Sequence, residues 1–284
     1  MKPIPIPVVA VGPGSRAPEE EFDYLRMPAA EPLATPIPPQ DAAAEDLAAA
    51  AMLVERLIEA MRLPANGTPP RLGLASLRPP ALRALNESLG QGEVSAVVRA
   101  PDGTEGWHVQ ETAFAGVWRV QRPDGNGGLA EDLIEAGDMP QAVKAGARIA
   151  RGAPLEAAKL PEGVMNAPAL VNEIRHHARR FRPGRPAHVI NLSLLPLTPA
   201  DHDGLGQVLG EGAVTILSRG FGNCRIASTT VPGVWRVQYF NSMNTLILDT
   251  IEVVDLPEAA RAAEDDYAES IERLGELLAW LRET

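Results

Sequence analysis

The sequence has a single cysteine, Cys224, in 284 residues. It can build neither an intrachain disulfide nor a cysteine-pair metal site, and such usage fits a reducing compartment. Basic charge is also short. Against 37 acidic residues stand 26 lysines and arginines, for a net charge of −11. Affinity for a nucleic-acid backbone rests on clustered Lys and Arg, so that class of partner is disfavoured. No run approaches the roughly 18 apolar residues of a membrane span. Pro3, Pro5 and Pro7 interrupt the stretch where a signal peptide would carry an apolar helix. The expected location is the cytoplasm.

Catalytic signatures are equally scarce. Gly12-x-Gly14 is too short for a dinucleotide loop, and neither a Walker motif nor Gly-x-Ser-x-Gly occurs. His176 and His177 are neighbours on an expected helix, so their side chains diverge by about 100° and cannot chelate from one face. Glu173 and His177 have i, i+4 spacing and could bind a metal with a ligand from elsewhere, but read first as a solvated helix face. Glu111, Glu135 and Glu252 show no paired spacing that would define an acid and a base. The sequence therefore predicts no enzyme, no cofactor and no metal.

What is there is enough apolar material for a core, 45% of the chain, and a chain of about 300 residues buries roughly 75% of its unfolded surface. It is arranged as a repeat. Gly116-Val117-Trp118-Arg119-Val120-Gln121 recurs unchanged as Gly233-Val234-Trp235-Arg236-Val237-Gln238, 117 residues on. At the same displacement Asp132-x-Ile134-Glu135-x-x-Asp138-Met139-Pro140 matches Asp249-x-Ile251-Glu252-x-x-Asp255-Leu256-Pro257, and Leu53-Val54 matches Leu170-Val171. Leu89-Gly90-Gln91-Gly92-Glu93-Val94 matches Leu209-Gly210-Glu211-Gly212-Ala213-Val214 at a displacement of 120, a difference absorbed by a loop. These matches predict an extended proline-rich tail over 1–41, a first repeat over 42–158 and a second over 159–284.

Each repeat reads as helix, strand, helix, four-stranded meander and closing helix. An alanine-rich helix over 42–61 has its twin near 167–181, and short strands follow at 72–77 and 188–193. Prolines open second helices that stop at Gly90 and Gly210. The second meander, at 213–218, 224–230, 234–240 and 246–253, is rich in β-branched and aromatic residues. Pro140 and Pro257 stand at the start of closing helices, the second running on through Leu274, Leu277, Leu278 and Leu281. The fold class expected is α+β: a tandem duplication of an α-β-α-β-β-β-β-α unit, giving two mostly antiparallel sheets with packed helices.

Successive hairpin turns alternate between the ends of a sheet, so Arg219-Gly220-Phe221-Gly222-Asn223 and Asn241-Ser242-Met243-Asn244 should share one end. Ordinary turn chemistry explains their glycines and asparagines. Alternatively Arg219, Gly220, Phe221, Asn223, Cys224, Arg225 and Asn241 form a rim presented to a partner. The corresponding turns of the first repeat hold Pro101-Asp102-Gly103 and Pro123-Asp124-Gly125, without such a cluster. Cys224 reads as a small buried hydrophobe, or as a thiol made reactive by Arg219 and Arg225. Trp118 and Trp235 alternate with arginine and read as core.

Val189-Ile190-Asn191-Leu192-Ser193-Leu194-Leu195-Pro196-Leu197, the run from Gly210 to Gly220, Gly222-Asn223-Cys224-Arg225 and the run from Val234 to Met243 resemble the C-terminal region of the HupH/HyaF family of nickel-iron hydrogenase expression proteins. Gln110 to Trp118 resembles that family's first half, and Gly12-Pro13-Gly14-Ser15 its N-terminal signature. The resemblance implies a non-catalytic chaperone or scaffold in maturation of uptake nickel-iron hydrogenase. Its implied partner is the small-subunit precursor, an iron-sulfur subunit with a twin-arginine signal peptide, met before export. A second function it leaves open is iron-sulfur or metal handling through Cys224.

Overall fold

A computed structural model describes residues 42–63, 69–149, 155, 160–219 and 222–283. The tail at 1–41 and the junction between 158 and 159 lie outside the described residues. The first half comprises α1 (Ala44–Arg62), β1 (Arg71–Gly73), α2 (Pro79–Leu89), β2 (Val94–Arg99), β3 (Glu105–Glu111), β4 (Val117–Pro123), β5 (Leu129–Ala136) and α3 (Gln141–Ala147). The second comprises α4 (Ala167–Arg180), β6 (His188–Asn191), α5 (Pro199–Leu209), β7 (Val214–Ser218), β8 (Asn223–Ser228), β9 (Val234–Phe240), β10 (Leu246–Val253), a 3-10 turn at Glu258–Ala260, and α6 (Glu264–Glu283).

Local chemistry explains most boundaries. In α1, Leu47, Val54, Leu57, Ile58 and Met61 recur at helical spacing and are all buried. Prolines at the first positions of α2 and α5 cost no hydrogen bond there. Gly90 and Gly210 end those helices at φ 61° and 58°. Asp201 fastens α5 to α4. Its Oδ1 accepts from the backbone N–H groups of Met165, Asn166 and Ala167 at 2.7–2.9 Å, and its Oδ2 from Thr198 N–H and Oγ1–H at 3.0 and 2.9 Å. Burial alone would raise this carboxyl, but those bonds hold it well below the usual carboxylate range.

The strands form one ten-stranded sheet in the order β1-β5-β4-β3-β2-β7-β8-β9-β10-β6, antiparallel throughout. This corrects the expectation of two sheets. The halves join where β2 pairs with β7, with Val94 opposite Ser218, Ala96 opposite Ile216 and Val98 opposite Val214. At a displacement of 120, position 94 matches 214, 96 matches 216 and 98 matches 218. Ala96 therefore faces its own counterpart, the register of an isologous contact. Joining these edges also removes two rows of unpaired backbone groups.

Strand alternation sorts side chains onto two faces. One bears the longer helices: Val117, Ile134 and Ala136 pack under α1 and α2, and Val234, Ile251 and Val253 under α4 and α5. The other carries a core that runs beneath the seam, with Ala96, Val98, Trp118 and Val120 from one half and Val214, Ile216, Trp235 and Val237 from the other. Val143 of α3 and Ala260 close it. The last helix also departs from expectation. It starts at Glu264 rather than after Pro257, and packs Leu274, Leu277 and Leu281 against α1 and α2 of the first half.

Candidate functional site

The turns before β8 and after β9 do meet at one end of the sheet. Asn223 pairs with Phe240, and Asn223 Nδ2–H donates to Asn244 Oδ1 at 3.2 Å. Gly220 and Phe221 lie outside the described residues. Arg219 continues the seam, its N–H donating to Glu93 O at 3.2 Å. Asn241 is occupied by its own turn, with Oδ1 accepting from Met243 N–H and Thr245 N–H, each at 2.9 Å. Asn244 takes φ 57°, a conformation asparagine tolerates.

The residues expected to form a single rim divide between the two faces. Asn223 and Arg225 lie on the helix-bearing face. Cys224 lies on the other, 5% exposed in the core opposite Tyr239. Burial pushes its thiol up to about 11 despite the opposing hydrogen bond with Tyr239. Tyr239 is pushed up to about 12 by burial and by that same neighbour. A thiol so placed is protonated at neutral pH.

Arg225 belongs to a wider feature. On the helix-bearing face α2 stands over β4, where Asn86 bonds Arg119, and α5 stands over β9. Between them Ser95, Val97, His108, Gln110, Thr215, Leu217 and Arg225 are half-buried, a strip of sheet left open among the described residues. A cavity of about 300 Å³ opens where this strip meets α5, lined in part by His202, Glu211, Arg225, Ser228, Arg236 and Gln238.

Two further features join residues that the sequence names separately. Glu111, Trp118 and Glu135 form a row across the core-bearing face. Glu111 is 7% exposed, its Oε1 accepts from Gly116 N–H at 3.2 Å, and burial pushes its carboxyl up to about 7. Glu135 is also raised by burial, against the pull of Gln141 N–H at 2.6 Å and Arg71 at 3.4 Å. The repeat carried a signal, since Ser228 occupies the position of Glu111 in the second half. The other feature could hold a metal: Glu173 and His177 of α4 meet His188 of β6, with candidate ligand atoms all within 4.8 Å of one another.

The family model for the C-terminal conserved region of HupH hydrogenase expression protein matches residues 47–151 and 164–281. The chain belongs to the HupH hydrogenase expression protein family. Hydrogenase expression/formation protein HoxQ of Cupriavidus necator is 43% identical to it over 99% of both chains. HupQ of Azotobacter chroococcum is 42% identical over 94% of both, and the hydrogenase-1 operon protein HyaF of Escherichia coli 30% identical over 96% of both. The solved hydrogenase expression protein HupH from Thiobacillus denitrificans is 32% identical, covering 40% of this chain and 95% of that one, with a TM-score of 0.38. The names of these relatives support a role for this HupH-family chain in hydrogenase maturation. No helix among its described residues is long and apolar enough to cross a membrane.

Proposed function

We propose that this HupH-family protein is a cytoplasmic, non-catalytic chaperone of nickel-iron hydrogenase assembly that binds the small-subunit precursor before export. The observation that carries this reading is the family relation, which extends over nearly the whole chain to proteins named for hydrogenase expression and formation. Physical features support it. A net charge of −11, with Glu264, Asp265, Asp266, Glu269, Glu272 and Glu276 exposed along α6, would attract a basic signal peptide. Such attraction steers encounter more than it sets specificity. The contact surface in this proposal is the β7–β8 tip with the open strip beside it. Arg219, Asn223 and Arg225 supply donors, and Val97 and Leu217 apolar area; Gly220 and Phe221, expected there from the sequence, lie outside the described residues. Cys224 and Asn241 are committed to the core and to the turn scaffold.

Transfer of an iron-sulfur unit or metal through Cys224 is the weaker reading. It needs an accessible thiolate, and burial holds this thiol protonated. One experiment tests both. The protein is co-expressed anaerobically with the precursor, with and without its twin-arginine peptide, and complexes are separated by pull-down and size exclusion. The expected result is a complex that Arg219→Glu/Arg225→Glu weakens at least roughly tenfold. Cys224→Ser should keep the complex and lose about 1–2 kcal/mol of stability. No complex with either precursor form would overturn the chaperone reading. A complex intact in Cys224→Ser but with maturation abolished would restore the thiol route.

A further inference from the structure

The cluster at the α4–β6 edge is made by the fold and not by local sequence. Glu173 and His177 stand one turn apart on α4, so they share a helix face. His188 opens β6, the last strand of the sheet, and shares the α4 side with buried Ile190 two residues on. His188 Nε2 lies 2.8 Å from Glu173 Oε1, and the His177 and His188 rings stack with centroids 3.4 Å apart and planes 4° from parallel. One carboxylate and two imidazoles thus converge from two elements, with candidate ligand atoms within 4.8 Å of one another.

The fold does not require these residues. At the positions of Glu173 and His177, 117 residues earlier, α1 carries Arg56 and Ala60. Ala136 N–H donates to Pro70 O, which gives Pro70 the place that His188 has opposite Val253. The first half builds the same helix and edge strand with no ligand at any of the three.

We propose that Glu173, His177 and His188 form a binding site for a divalent transition-metal ion of the zinc class, with a fourth position open to water or to an outside ligand. The proposal does not rest on the chaperone reading. Two imidazole nitrogens and one carboxylate oxygen are a donor set that zinc accepts at about 2.0–2.2 Å, and three protein ligands with one open position are a known arrangement for it. Tetrahedral donors at such lengths lie about 3.4 Å apart. The contraction from the observed spacing is within the reach of side-chain rotation, because Glu173 is exposed and both rings are half-buried. Binding must also open the stack. Each nitrogen lone pair lies in its own ring plane, so two parallel rings cannot both aim at one ion. Arg180, whose charge also acts on His177, is bonded to His176 on the neighbouring face of the helix. Glu173 offsets one of the ion's two charges.

The test uses the full chain with any affinity tag removed, and Zn²⁺ alone as the probe, titrated against a chromogenic chelator. Binding of one equivalent, with a Kd at or below about 10 µM, is expected. Glu173→Gln, His177→Ala and His188→Ala should each weaken it by roughly tenfold or more, whereas His176→Ala should stay within about threefold. Co²⁺ in the same site should give the visible absorption of a four-coordinate ion. Circular dichroism of each variant confirms that the fold is retained. The proposal is overturned if the parent chain binds no zinc at that level, or if His177→Ala and His188→Ala both bind as the parent does.

Discussion

Replacing Glu111 by glutamine should remove one pH-dependent weakness of the fold. Glu111 is 7% exposed, and burial raises its carboxyl from 4.5 to about 7. For an acid raised in the folded state, folded protein holds a proton that unfolded protein has released between those two values. Stability is then greatest below about pH 4.5 and falls as pH rises towards 7. A carboxyl held at about 7 instead of 4.5 contributes about 3 kcal/mol at low pH, lost almost fully by about pH 8. Glutamine keeps an oxygen to accept from Gly116 N–H, which Glu111 Oε1 receives at 3.2 Å. Any cost of its amide group does not depend on pH. The assay is urea unfolding of both proteins at constant ionic strength from about pH 4 to pH 8. The stability of Glu111→Gln minus that of the parent should climb by about 3 kcal/mol across the window. A difference flat to within about 0.5 kcal/mol, or one that falls, would refute the assignment of a buried, proton-holding Glu111.

The Arg236–Asp249 pair is bidentate at 3.0 and 2.7 Å, with the Asp249 side chain 3% and the Arg236 side chain 32% exposed. Asp249→Ala should cost roughly 3 kcal/mol in urea unfolding, and the double change Arg236→Met/Asp249→Leu should regain much of it. A loss under about 1 kcal/mol from the single change would show that the pair adds little. At Gly212 an added Cβ would lie 2.3 Å from Ser228 Oγ and 2.4 Å from Thr229 O, while at Gly206 in α5 nothing lies within 4 Å. Thermal unfolding should show Gly212→Ala losing about 3 kcal/mol and Gly206→Ala gaining somewhat under 1 kcal/mol. Equal effects at the two glycines would contradict the packing described.

Most elements were legible because their patterns are local. The α1 stripe, the prolines opening α2 and α5, and the second meander each stand within a few residues of expectation. The single sheet was not inferred, although β2 and β7 carried a hint. Val94-Ser95-Ala96-Val97-Val98 and Val214-Thr215-Ile216-Leu217-Ser218 contain no proline, lysine or other charge, the devices that protect a solvent edge. The crossing of α6 was hidden for a different reason. An amphipathic stripe shows that a helix must be covered but not by which surface. At the candidate site, the shared end of the two turns followed from hairpin geometry. Grouping Cys224 with Asn223 and Arg225 overlooked the alternation of a strand. Placing His188 beside Glu173 and His177 required knowing that β6 ends the sheet next to α4.

The identical hexapeptide marks framework, because its glycine, tryptophan and arginine have the same structural tasks in both halves. Gly116 and Gly233 take φ 75° and 74°, and a Cβ there would meet the Tyr267 or the Phe181 ring at 2.6 and 2.9 Å. Trp118 and Trp235 are fully buried, with Nε1–H donating to Gly137 O and Val254 O at 2.9 and 3.2 Å. On the opposite face Arg119 and Arg236 each hold an aspartate with two bonds, Asp132 and Asp249. On the proposed chaperone reading, recognition falls to positions where the halves differ. Those in the second half are polar and at least partly open: the donors at the β7–β8 tip, the cavity beside α5, and the Glu173, His177 and His188 cluster. The most prominent difference in the first half is buried Glu111. Its helices α1 and α2 are covered by α6, which the second half contributes. The cavity lies beside α5, and the Glu173, His177 and His188 cluster joins α4 to β6.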